Sequence, residues 1–166
     1  MKDEFTAWLH DKGRRKLRWY KGEFENISKE IKEKDFLSYF DFLRIRNFKL
    51  QNSTKEEEIR IKTVTSEDFK LAKEDKIKEA ITWLVGLDGV AIPIASTILA
   101  MKYPDKYAII DRRVIKQLGK NEWLKKYLKD AEIYEEYLLL MRKTKPSNMS
   151  LRDYERSLFE EVSVKK

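Results

Sequence analysis

The segment from Trp83 to Leu118, WLVGLDGVAIPIASTILAMKYPDKYAIIDRRVIKQL, constrains the fold more than any other part of the chain. Ile77, Ile81 and Leu84, at spacings of four and three, mark an amphipathic helix entering it. Leu87-Asp88-Gly89-Val90-Ala91 breaks that run. The next stretch, Ile92 to Met101, is apolar almost all round, the pattern of a buried helix rather than a surface one. Tyr103-Pro104-Asp105 stops it. The apolar Ala108-Ile109-Ile110 then delivers one acid, Asp111, onto the basic pair Arg112-Arg113.

The flanking sequence is helical in period too. Phe5, Trp8 and Leu9 place a helix over residues 4–20, and six of the ten residues from Lys12 to Lys21 are basic, with Trp19 and Tyr20 among them. Phe24, Ile27 and Ile31 continue the period to about Lys34. Asp35 is expected to cap a helix through Arg46, with Phe36, Phe40 and Leu43 on its buried side. Ser53 with Glu56, and Ser66 before Glu67-Asp68, are expected to open further helices, and Asp75 to cap the one leading into the Leu87–Ala91 turn. Beyond Asp111, Val114, Ile115 and Leu118 define a short helix closed by Gly119. Trp123, Leu124, Tyr127 and Leu128 form an amphipathic turn and a half. Ile133, Tyr134, Tyr137, Leu138 and Met141 lie on a helix that Pro146 ends, and Ser150 caps a last one bearing Leu151, Tyr154, Leu158 and Phe159. No stretch alternates as a strand would. The expectation is an all-α chain, one domain over residues 1–166, with room for two lobes around a cleft.

Composition removes several function classes. The chain has 166 residues, no cysteine and a single histidine, His10, so disulfides, thiolate zinc sites and cysteine-bound iron–sulfur clusters are excluded, as is a metal site built from histidines. The longest apolar run, Ala91 to Met101, is too short to cross a membrane, and Met1-Lys2-Asp3-Glu4-Phe5 is not a signal peptide. A soluble cytoplasmic protein is expected, nucleoid-associated if prokaryotic. A net charge of +7 with 39% charged residues calls for an acidic partner, of which nucleic acid is the commonest.

Leu87-Asp88-Gly89-Val90-Ala91-Ile92-Pro93-Ile94-Ala95, followed by Ile109-Ile110-Asp111-Arg112-Arg113-Val114, resembles the helix-hairpin-helix and catalytic-aspartate segment of the DNA glycosylase superfamily that includes endonuclease III. In that superfamily the hairpin reads roughly L-P-G-V-G-x-x-T-A, and the aspartate follows about twenty residues later. The resemblance covers about a third of the chain and places the helix-hairpin-helix at about residues 75–103. It implies a monomeric protein that binds double-stranded DNA and hydrolyses the N-glycosidic bond of a damaged base, with Asp111 as the catalytic group. Leu87, Gly89, Ala91 and Ile92 would contact DNA through the hairpin, Arg112 and Arg113 beside it. A backbone-held monovalent cation at the hairpin is implied as well, with no other cofactor. The physics of the segment agrees: N–H groups opening a helix lie at the positive end of its dipole and suit a phosphate oxygen.

Two positions depart from the family pattern. Ala91 replaces the second glycine of the hairpin, and Pro93 stands where bifunctional members carry a Schiff-base lysine. Proline has no amine to attack a sugar carbon. The reading is therefore a monofunctional glycosylase; a lyase would need another lysine. The alternatives are a non-catalytic DNA-binding protein of the same fold and an unrelated helical interaction module. Trp19, Phe48 and Trp83 are candidates for stacking on an extruded base, with no pocket assignable from sequence.

Overall fold

The computed structural model describes residues 22–49 and 58–164. The helix expected over residues 4–20, its basic stretch from Lys12 to Lys21 and the Ser53–Glu56 box lie outside them. The described residues are helical, with no strand: α1 (22–31), α2 (Tyr39–Lys49), α3 (Glu58–Lys73), α4 (Ile77–Val85), α5 (Ile92–Lys102), α6 (Arg112–Gln117), a 3₁₀ helix (Asn121–Lys125), α7 (Ala131–Thr144) and α8 (Leu151–Val164). None of these helices is long and apolar enough to cross a membrane.

The apolar stretch Ile92–Met101 becomes α5, and from Ile94 to Lys102 every one of its residues is buried. It is the centre of the core, with α2 and α4 against it; α3 and α7 pack on α4, and α8 on α6 and α7. Phe24, Ile27 and Ile31 bury one face of α1, as their spacing requires. The end of α1 is then fastened to the end of α5. Lys102 carries its ammonium under the protein surface and donates to the carbonyls of Ile31 (3.0 Å), Lys32 (2.5 Å) and Lys34, while the Ser28 hydroxyl donates to Met101 O at 2.5 Å. A cation at a helix C-terminus satisfies carbonyls that have no partner within the helix and faces the negative end of its dipole.

Three expected helix starts are corrected. The cap of α2 is Ser38, not Asp35. The Ser38 hydroxyl oxygen accepts from Asp41 N–H (3.2 Å), and the Asp41 carboxylate accepts from Ser38 N–H (3.0 Å), a reciprocal capping box. Burial alone would raise the Asp41 carboxyl, but the Lys34 ammonium at 2.8 Å and the Ser38 donors outweigh it and hold it below its usual 3.8. The later start turns a different face inward. Leu37, Phe42 and Ile45 are buried, whereas Phe36 and Phe40 are 43% and 77% exposed. Ser66 opens nothing, because α3 runs unbroken through it and buries Ile61, Val64, Thr65, Asp68, Phe69 and Ala72. Asp75 does not cap α4. Its backbone is left-handed, at φ +60°, and its carboxylate is gripped by the Arg142 guanidinium at 2.7 and 2.8 Å.

The second half follows its sequence closely. Gly119 takes φ +71° after α6, with Lys120 N–H donating to Ile115 O and Gly119 N–H to Lys116 O, the Schellman closure that a glycine permits. Asp130 caps α7 through Glu132 N–H (3.1 Å), and Ser150 caps α8 through Asp153 N–H (3.0 Å).

Candidate functional site

Six residues lie between α4 and α5, and the chain turns over four of them, 87–90. Val90 N–H donates to Leu87 O at 3.1 Å, and Gly89 takes φ +67°, a conformation side-chain-bearing residues rarely adopt. A Cβ on Gly89 would also lie 2.2 Å from Nη2 of Arg46, so the guanidinium that crosses the turn from α2 would have to shift to admit a side chain. Leu87, Val90 and Ile92 turn their side chains into the core, leaving Asp88 and Gly89 exposed and Ala91 half-buried. Of the four hairpin residues expected at DNA, Leu87 and Ile92 therefore present only backbone.

The N–H groups opening α5 are less free than the sequence suggested. Ile92 N–H donates to the carbonyl of Leu128 at 3.3 Å, Pro93 has no N–H, and Ile94 and Ala95 both donate to Ala91 O. Gly89 and Ala91 retain N–H groups that meet no acceptor among the described residues. The resemblance also implied a cation on the turn carbonyls, and the turn fits one poorly. The Arg60 guanidinium already donates to Gly86 O, and that of Arg46 lies over Gly89, so an added ion would meet two positive charges.

Asp111 stands at the end of an extended, buried segment whose polar groups are individually held. Tyr107 OH donates to Ala72 O (3.0 Å), Tyr134 OH to Ala108 O (3.0 Å) and Tyr137 OH to Ile109 O (2.8 Å). Ile110 N–H donates to the Ser96 hydroxyl oxygen at 3.2 Å, and that hydroxyl donates to Pro93 O at 2.9 Å. The first turn of α5 and the approach to Asp111 are thus joined through one serine. Burial pushes the phenols of Tyr107, Tyr134 and Tyr137 well above their usual 10.0, so they remain donors. Asp111 itself is half-buried and caps α6, its carboxylate accepting from Arg113 N–H at 2.8 Å. Arg112 and Arg113 are both exposed, and the Arg113 guanidinium lies 4.9 Å from the centre of the Phe159 ring on α8.

The proposed stacking aromatics are scattered. Phe48 packs edge-on against Phe24 at 6.1 Å, Trp83 is 46% exposed on α4, and Trp19 lies outside the described residues. No group of three or more His, Cys, Asp or Glu among the described residues could hold a metal. An open concavity of about 550 Å³ lies at Lys78, Lys125, Lys126, Leu128, Lys129, Asp130, Ala131 and Glu132, beside the carbonyl that receives Ile92 N–H. The sequence reading missed these lysines, although the signal was there: residues 112–129 hold seven basic side chains against one acid, Glu122.

Comparison with protein-family models, with curated proteins and with solved structures returns no match.

Proposed function

We propose that this protein binds duplex DNA through the α4–α5 turn and hydrolyses the N-glycosidic bond of a damaged base, with Asp111 as the reaction's electrostatic group. The observation that carries this reading is the Ser96 link. The turn offers N–H groups at Gly89 and Ala91 to a phosphate, and one side chain away the same helix positions Asp111. Phosphate contacts of that kind position a duplex without reading its sequence.

The chemistry follows from charge. Breaking an N-glycosidic bond builds positive charge on the sugar, and a fixed carboxylate stabilises that oxocarbenium-like state or orients the attacking water. The base must first leave the stack, at a cost of roughly a few kcal/mol. Pro93 supplies no amine, so water rather than a lysine adds to the sugar carbon as the base departs, and the product is the free base and an intact abasic strand.

A second reading, DNA binding without catalysis, is favoured by one observation: among the described residues, an open concavity is lined by lysines and does not include Asp111. Base release from duplexes carrying an oxidised purine, uracil or an alkylated purine decides between the two, with alkali to cut any abasic site. Asp111→Asn is the control because asparagine also caps helices well, so α6 survives. The catalytic reading expects alkali-dependent cleavage by the wild type and none by Asp111→Asn. Equal cleavage by both proteins, or none with any lesion while binding persists, would overturn it.

A further inference from the structure

We infer that the exposed lysines at the end of the 3₁₀ helix and in the turn after it, Lys125, Lys126 and Lys129, form a track for the phosphate backbone of duplex DNA running beside the α5 N-terminus. The inference rests on the DNA-binding part of the reading above and is independent of catalysis.

Charge distribution is the first ground. Residues 112–129 carry a net +6, while the whole chain carries +7. Residues 12–21 carry another +6, so the surplus that calls for an acidic partner sits in two short stretches, of which 112–129 is the one among the described residues. The second ground is pairing. Lys34, Lys62, Lys70, Lys76, Lys78 and Lys120 each have a carboxylate within ion-pairing distance. Lys125, Lys126 and Lys129 are exposed and have no such partner among the described residues; Lys29, Lys32 and Lys143 lack one too, but only the first three lie together on the concavity.

Rigidity is the third. Trp123 is buried and anchors the segment, Tyr127 N–H closes back on Trp123 O at 2.9 Å, and Leu128 O is fastened to Ile92 N–H. Ammonium groups on a fixed backbone lose less freedom on binding than those on a loose tail. The same Leu128–Ile92 bond removes an N–H from the start of α5 and brings cationic side chains alongside, so phosphate contact passes from backbone to lysine. The concavity is open rather than enclosed, which suits a long polyanion crossing it more than a small one held inside. Asp130, which caps α7, and Glu132, paired with Lys78 at 2.6 Å, are the acids on its lining.

The test is fluorescence anisotropy with a short undamaged duplex over a salt series. The variants are Lys125→Gln/Lys126→Gln/Lys129→Gln and a charge-matched Lys29→Gln/Lys32→Gln/Lys143→Gln, with thermal melting to show that both fold. Each lysine on a phosphate should contribute about 0.9 to the slope of log affinity against log salt, so the first variant should lose up to about 2.7. Its affinity at low salt should drop at least about tenfold, with the charge-matched variant near wild type. If the wild type binds DNA and the two variants behave alike, the track is wrong and the DNA reading stands. If the wild type shows no salt-sensitive DNA binding, both fail. Preference for poly-glutamate over duplex would overturn the inference in favour of an acidic protein.

Discussion

Asp68 is the residue in this structure most at odds with its surroundings. It sits on the inward face of α3, fully buried, and neither carboxylate oxygen meets a donor among the described residues. Burial raises its carboxyl well above the usual 3.8, so the folded protein holds it protonated where the unfolded chain releases the proton. Its contribution to stability is intact below pH 3.8 and declines as pH rises, at up to about 1.4 kcal/mol per pH unit, until the folded-state value is passed. Asp68→Asn should therefore gain on the wild type as pH increases above 3.8. Urea midpoints at several pH values measure this, and a constant difference between the two proteins would show that Asp68 does not titrate between the folded and unfolded states.

At this scale the sequence was partly legible. Gly89 could be picked out because only its backbone matters, and its φ of +67° is the conformation a tight turn demands. Asp68 could not, since an acid beside Ser66 and Glu67 on a polar stretch has the signature of a solvated helix start. Nothing local announces that the residue four positions before Ala72 points into the core.

Among the elements, the segment leading to Asp111 and the α7 helix form one device. Two tyrosines of α7, Tyr134 and Tyr137, hold successive carbonyls of that segment, and Ser96 of α5 holds an N–H. Tyr137→Phe removes the donor to Ile109 O and should cost about 1–3 kcal/mol of stability, the penalty for leaving a buried carbonyl unpaired. If Asp111 is the catalytic group, the turnover rate should fall while DNA affinity is kept, because the loosened segment is the one that aims it. Single-turnover base release alongside anisotropy separates the two effects. A parallel loss of both would mean that the tyrosine acts only on the fold.

The helices themselves show why some were readable and others were not. α5 and α7 carry their apolar pattern without ambiguity, and the structure keeps it. α2 does not. Phe36, Phe40 and Leu43 have helical spacing, but the inward face of α2 includes Asp41 and Arg46, which a hydrophobicity reading assigns to solvent. Asp41 is inside because Ser38 and Lys34 satisfy it, and Arg46 is inside because it spans to Gly89. Both reasons are tertiary, so neither could be read from the local pattern. The lysines around the 3₁₀ helix are obscured for the opposite cause: Trp123, Leu124, Tyr127 and Leu128 dominate the local pattern, and the charges between them have no motif of their own.

For the molecule as a whole, the tyrosines buried between α3, α7 and the Asp111 segment have an optical consequence. Tyr107, Tyr134 and Tyr137 are pushed well above 10.0 by burial, and Tyr103, on the same side of α3, is pushed up to about 12. In the unfolded chain the four phenols ionise near pH 10, so above that pH the folded state binds more protons and its stability falls as pH rises. Each phenol contributes up to about 1.4 kcal/mol per pH unit. Followed by phenolate absorbance, these four should stay dark through the ordinary tyrosine range and then appear together, in step with the loss of helical circular dichroism. A gradual rise that precedes the loss of helix would show that solvent reaches them in the native protein. The phenols that fix the backbone before Asp111 are thus also built-in reporters, whose ultraviolet absorbance shifts to longer wavelength only when the whole fold lets go.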